Sequence, residues 1–320
     1  MINVYVISGF LGAGKTTFIQ KLLSEKKFDK VMLLENEFGE IGVDAAFFDK
    51  SLKVKEINNG CICCSLQGDF KEALEEIEDM GVSDLLIEPS GVGKLSDIID
   101  VIKENNDFRI VSHICIVDVK TAIKYHTNFK EYFDDQVKAA NAIILSHLDV
   151  AEQNKVNDVV NMIKELNKDA IISNKQLNEY SIEQLMDLIV SGGEILPDLS
   201  FEGDNHEHEH HHDHEHHHHH HHHDHHHHDD DDDDEDEIFK NVAIRTDYVF
   251  SEDEIKDILA KMPEDIIRVK GYVKGKEGTL YFNYVLNEEH IYYGENRNDS
   301  LVVVIGTALD KKGLKELFHE

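Results

Sequence analysis

The chain has 320 residues, 41% of them hydrophobic, enough for about two domains with proper cores. Its 65 acidic residues against 32 basic ones give a net charge of −33, which argues against nucleic-acid or anionic-membrane partners, because no basic face is there to displace counterions. No apolar stretch approaches the roughly 18 residues of a membrane span, and the opening MINVYVISGF lacks the basic start and long apolar run of a secretory signal, so the expectation is a soluble cytoplasmic protein.

In chain order, residues 2–7 (INVYVI) form a β-branched run that predicts a buried strand, followed by a Gly-rich turn and a helix in TTFIQKLLSEKKF. Strands are expected at 30–36, 51–57, 83–91, 110–118, 139–149 and 170–173, with helices at 69–80 and 152–167. Strands alternating with helices predict a doubly wound, mostly parallel sheet over residues 1–191. The pattern dissolves over 192–237, which predicts a disordered His/Asp-rich linker. It resumes at 238–250 as a strand. A helix follows whose start, Ser251 with Glu254 three residues on, is a capping box. Further strands are IIRVKGYV, TLYFNYVL and LVVVIG, and DKKGLKELF closes as a helix, so 238–320 predicts a smaller α+β domain with an antiparallel sheet.

GFLGAGKTT (9–17) matches G-x-x-x-x-G-K-[ST] through Gly9, Gly14, Lys15 and Thr16, and it falls between a strand and a helix as a phosphate cradle must. Loop N–H groups and the helix N-terminus face the phosphate oxygens. The expected binding set is Gly9, Gly12, Ala13, Gly14, Lys15, Thr16 and Thr17, with Lys15 bridging the β- and γ-phosphates and Thr16 offering its hydroxyl to Mg²⁺. Glu88 ends the apolar run LLIE. It is expected to hold Mg²⁺ through water or to orient the attacking water, against the alternative of an ordinary strand-end acid; Gly91 would give its N–H to the γ-phosphate. SHLD (146–149) stands where P-loop GTPases place N-K-x-D. Asp149 fits the guanine-reading carboxylate, while Ser146 and His147 replace the Asn and Lys. Strict selection of guanine over adenine is therefore open at this point.

Cys61, Cys63 and Cys64 crowd into NNGCICCS (58–65), where thiolates suit Zn²⁺, Cu(I) and other borderline or soft ions. One short loop rarely closes a tetrahedral site, so a further ligand is expected from Glu35, Glu37 or Glu40 of ENEFGE, or from His113. Buried small hydrophobes, or a redox pair in the Cys61/Cys64 spacing, are the alternatives. Cys115 sits in an apolar strand and reads as core.

Residues 206–228 hold 18 of the 23 histidines, and nine acids follow without a break at 229–237. Imidazoles near their ordinary pKa of about 6.5 are largely neutral near pH 7 and free to coordinate. The run His206 to His228 is expected to collect Zn²⁺, Ni²⁺ or Co²⁺ weakly, as accessory metal capture.

Together GFLGAGKTT, ENEFGE, NGCICCS, LLIEPSG and the C-terminal RVKGYV and VVVIG resemble the CobW-like family of P-loop GTPases, proposed metallochaperones related to the nickel-inserting GTPases of hydrogenase and urease maturation. The resemblance covers nearly the whole chain outside 192–237, and SHLD is its main departure. It implies a P-loop NTPase fold, GTP hydrolysis, a transition metal as cargo at the C-x-C-C loop, and delivery to a metal-requiring client protein. By position it implies Glu35, Glu40, Cys63 and Cys64 as metal ligands, with Cys61 a third thiolate. By analogy the C-terminal sheet is a client or homo-oligomer surface. Two other readings are a metal-storage protein that uses the histidine run, and an ATP-dependent small-molecule kinase; no acceptor pocket supports the kinase.

Overall fold

The computed structural model describes residues 1–26, 28–36, 52–57, 66–173, 175–190, 239–263, 265–285 and 288–320. Its first half is a sheet of seven strands: β1 (Ile2–Gly9), β2 (Val31–Asn36), β3 (Lys53–Ile57), β4 (Asp84–Glu88), β5 (Phe108–Asp118), β6 (Ala142–Ser146) and β7 (Ile171–Ile172). Their order is β3-β2-β4-β1-β5-β6-β7 and every pairing is parallel. A sheet of this kind is covered on both faces, so its strands read as unbroken apolar runs. In β1 every residue but Asn3 is buried. The helices are α1 (Lys15–Glu25), α2 (Leu66–Glu78), α3 (Leu95–Lys103), α4 (Ala122–Asn128), α5 (Lys130–Ala139), α6 (Gln153–Leu166) and α7 (Ile182–Val190). Of these, α3, α4, α5 and α7 have no counterpart among the sequence-based expectations. None of the described helices is long and apolar enough to cross a membrane.

The second half is a six-stranded sheet built from β8 (Lys240–Ile244), β9 (Val249–Phe250), β10 (Ile266–Gly275), β11 (Gly278–Val285), β12 (Glu288–Tyr293) and β13 (Leu301–Gly306), with α8 (Glu252–Leu259) and α9 (Lys311–Leu317). The order β12-β11-β10-β13-β8 is antiparallel, and β9 alone among the described pairings joins β10 in parallel. The single strand expected over 238–250 is broken at Thr246. Its hydroxyl accepts from the Tyr248 N–H at 3.1 Å and donates to the His319 carbonyl at 3.2 Å, which turns the chain between β8 and β9. The capping box at Ser251 and Glu254 forms as its spacing dictates, with the Ser251 N–H donating to the Glu254 carboxylate at 2.6 Å.

The two faces of the C-terminal sheet serve different cores. Val269, Val273, Leu280, Phe282, Val302 and Val304 pack with Ile255 and Leu259 of α8 and Leu314 of α9. Ile267, Val303 and Ile305 turn the other way and join the core of the parallel sheet, together with Phe239, just before β8. The Phe239 ring lies 5.2 Å from that of Phe129, 5.0 Å from that of Tyr132 and 6.2 Å from that of Phe10. It is 3% exposed, so Phe239→Ala should lower stability by about 3 kcal/mol through lost burial and a cavity; urea unfolding measures it.

Cys115 is buried in β5, as its apolar strand implies. Burial pushes its thiol up to about 12. The native state therefore holds the protonated form, while an unfolded thiol ionises near its ordinary value of 9.0. Between the two values alkali favours unfolding, and only the unfolded chain presents a thiolate. Iodoacetamide in mildly alkaline buffer should leave the Cys115 peptide unmodified until denaturant is added, as read by peptide mass mapping.

Candidate nucleotide site

The residues of the predicted phosphate cradle come together at the carboxyl end of β1. Gly9, Gly12 and Gly14 all have positive φ, at 141°, 74° and 100°, and the loop they form delivers the chain into α1 at Lys15. The Lys15 side chain is buried and folds back over its own loop, with Nζ donating to the Gly9 carbonyl at 3.0 Å. One residue on, the Thr16 hydroxyl donates to Glu88 Oε1 at 3.1 Å. Glu88 is itself buried and ends β4, the neighbour of β1, so a hydroxyl from the first turn of α1 and a carboxylate from a strand end meet beside the loop. Such a pair of hard oxygen donors suits Mg²⁺.

The turn after β4 is tied to the loop. A Cβ on Gly91 would stand 2.8 Å from the Leu11 nitrogen, so only glycine lets the two backbones approach this closely. The buried Gln136 amide donates to the Gly91 carbonyl at 3.3 Å and to the Gly93 carbonyl at 2.7 Å, and the Tyr125 hydroxyl donates to the Leu11 carbonyl at 3.3 Å. Sequence reasoning missed both Gln136 and Tyr125. They lie in segments that carry no motif, and nothing local marks a side chain whose partner is more than forty residues away.

Beyond Gly14 a cleft of about 330 Å³ opens, with Ala13, Phe18, Ser146, His147, Gln176 and Asn178 among its walls. His147 has a left-handed backbone (φ 58°), and its Nδ1 is 3.2 Å from Asp118 Oδ1 at the end of β5. Asp149 is exposed and is not one of the wall residues. Asp118, Gln176 and Asn178 were not anticipated, although the run IVD ending β5 carried the same signal as LLIE. A larger cleft of about 910 Å³ lies along α1 and the edges of β2 and β3, lined by Gln20, Ser24, Lys30, Leu52 and Met80 among others. It shares Thr17 with the predicted cradle and otherwise holds none of the predicted residues, so size does not locate the chemistry here.

Of the predicted metal ligands, Glu35 is buried near the end of β2, in register with Glu88 on one side and Glu56 on the other. Next to it the Asn36 amide is buried, and among the described residues neither of its polar atoms has a hydrogen-bond partner. His113 is not brought to this place. It sits within β5, three strand positions from β2 in the sheet order, or about 14 Å at normal strand spacing. Burial lowers its pKa from the ordinary value and favours neutral imidazole. Glu37, Glu40, Cys61, Cys63, Cys64 and the run His206 to His228 lie outside the described residues. Among the described residues no group of three or more His, Cys, Asp or Glu side chains could hold a metal ion.

Both halves of the chain match known domain families. The model of the CobW/HypB/UreG nucleotide-binding domain matches residues 3–174, and that of the cobalamin synthesis protein CobW C-terminal domain matches 239–320. The chain is 36% identical over 157 residues to the zinc chaperone YeiR of Escherichia coli (strain K12), a match covering 47% of each chain. It is 33% identical over 161 residues to the zinc chaperone YjiA of the same organism, covering 47% of this chain and 50% of that one. The matched stretch thus spans about half the length of these curated relatives. Among solved structures, the Zn(II)-bound YjiA GTPase from E. coli aligns over 99% of this chain and 98% of its own, at 19% identity and a TM-score of 0.43. With the nucleotide-binding model covering more than half of its residues, the chain belongs to the CobW/HypB/UreG family.

Proposed function

We propose that the chain is a GTP-hydrolysing metallochaperone. It binds zinc, or cobalt or nickel in its place, at the C-x-C-C loop with an affinity set by the bound nucleotide, and passes the ion to a client protein. The observation that carries this reading is the register of three strand ends. Glu88, in contact with Thr16, is paired with Glu35, and the following residue of β2, Asn36, is paired with Ile57 at the end of β3. Cys61 follows Ile57 by four residues, which limits the distance between their Cα atoms to about 14 Å at full extension. Sulfur donors and a triphosphate would then share the carboxyl edge of one sheet, where open α/β sheets bind their ligands. Two curated relatives named as zinc chaperones put zinc first among the metals.

In this reading Lys15 turns from its loop carbonyls to the β- and γ-phosphates. Thr16 and Glu88 hold Mg²⁺, which when bound neutralises charge on the phosphate oxygens. Glu88 also orients the attacking water, and Gly91, held against Leu11, directs its N–H toward the γ-phosphate. His147 lies along the base, and Asp149 reads guanine from the end of the same segment. Glu35, Glu40, Cys61, Cys63 and Cys64 supply the cargo site. Residues 1–191 form the GTPase domain, 192–237 the histidine-rich linker and 238–320 the C-terminal domain. GTP orders the wall that holds the cysteines, and hydrolysis loosens it. Linkage requires the ion to tighten GTP by the same factor.

Competition titration of Zn²⁺ with a chromogenic chelator should give tighter binding with GTP and Mg²⁺ than with GDP and Mg²⁺, and the double variant Cys63→Ser, Cys64→Ser should lose the difference. Equal affinities in the two nucleotide states would remove the coupling.

The concentration of histidines at 206–228 favours one competing reading, metal storage with a regulatory nucleotide domain. Deleting 204–237 should leave one tight Zn²⁺ site intact in the same titration. Loss of all tight binding would make the chain a storage protein.

A further inference from the structure

On the nucleotide reading, one side of the glycine-rich loop faces the phosphates; at Gly12 the loop also meets the C-terminal sheet. At Gly12 (φ 74°) a Cβ would stand 3.1 Å from Val285 Cγ1, and the three heavy atoms nearest to that point all belong to Val285. Val285 is the last residue of β11, paired with Arg268 of β10, and it packs against the core that contains Phe10 and Leu11. Two residues before Gly12, the Phe10 ring stacks 5.5 Å from Phe129, tilts against Tyr125 at 4.1 Å and meets Phe239 edge-on. Two separate segments of the C-terminal half, one before β8 and one at the end of β11, thus press on Phe10 and Gly12 of the same turn.

A glycine-rich turn has few side chains with which to fix its own shape, so its conformation is set by its neighbours. An anion cradle binds tightly when its N–H groups already converge, because ordering them on binding costs affinity. We infer that Val285 is a positioning residue for the phosphate loop: by blocking outward movement of Gly12, it holds the N–H groups of the cradle in the arrangement that a nucleotide polyphosphate requires. The C-terminal sheet is then part of the nucleotide site without touching nucleotide. Any event that shifts β11 changes nucleotide affinity, and nucleotide binding restrains β11 to the same degree. This inference rests on the nucleotide reading of the loop.

The test compares two substitutions that remove the same two methyl groups from opposite faces of one sheet. Val285→Ala opens space beside Gly12. Val304→Ala, fully buried among residues facing α8 and α9, opens space in the other core. Fluorescent GDP and GTP analogues with Mg²⁺ report Kd, and thermal unfolding reports stability. Val285→Ala should weaken both nucleotides roughly fivefold through lost preorganisation. Val285→Thr, which restores the volume, should recover most of that loss. Val304→Ala should lower the Tm and leave both Kd values at the native level. Unchanged Kd values in Val285→Ala, or equal weakening in Val304→Ala, would overturn the positioning role alone. A native chain that binds neither analogue would overturn it together with the nucleotide reading.

Discussion

On the proposed reading the turn at residues 9–14 presents its N–H groups to polyphosphate, and that need for a fixed backbone shape is the constraint on which the packing around it bears. The turn at residues 9–14 has glycine at three of its six positions. Its own Phe10 and Leu11 are buried, and further restraint comes from outside: the sheet beneath, Gly91 pressed on Leu11, the Tyr125 hydroxyl on the Leu11 carbonyl, and Val285 and Phe239 from the C-terminal half. None of these contacts is strong alone. A neutral hydrogen bond contributes about 1 kcal/mol and a buried aromatic pair about as much beyond its area. Their effect is to remove alternative conformations of a short, otherwise permissive segment.

The parallel sheet explains why separate pieces of chemistry arrive at one edge. Strands in one direction end on one side, so the carboxyl ends of β1, β2, β3 and β4 lie along one edge whatever their distance in sequence. The register Glu35 to Glu88, and Asn36 to Ile57, turns that general rule into specific neighbours. The same topology keeps His113 away, because β1 and β4 stand between β5 and β2. A sequence reader can find strand ends by their apolar runs but not the order in which the strands lie, and it is the order that decides which ends are adjacent.

That distinction runs through what was legible. The glycine-rich turn at 9–14 and the helix that follows it were readable because the motif is contiguous. Glu88 was readable because an acid ends a buried run. The capping box at Ser251 and Glu254 was readable because its hydrogen bonds are local. α4 and α5 were not, since Phe129 interrupts the helical spacing and serves as a joint between them. Gln136, Tyr125 and Val285 were not, because each acts on a backbone atom or a glycine far along the chain. Asp149 illustrates a milder case: its motif position was visible, but the cleft walls near the loop come instead from Ser146, His147, Gln176 and Asn178.

The two-faced C-terminal sheet follows from the same logic of packing. A sheet that only covered two short helices would need one apolar face and would leave the other polar. Here Ile267, Val303 and Ile305 place apolar residues on the second face as well, beside Arg268, Lys270 and Asn283, and their burial ties the sheet to the core of the parallel sheet. Apolar burial is non-directional and would by itself allow the sheet to slide. Phe239, wedged among Phe10, Phe129 and Tyr132, and Val285, seated on a glycine with no side chain, convert that attraction into a fixed placement. On the proposed reading, a client engaging the outer strands of this sheet would reach the nucleotide through a few ångströms of packed apolar atoms, with no charged relay required.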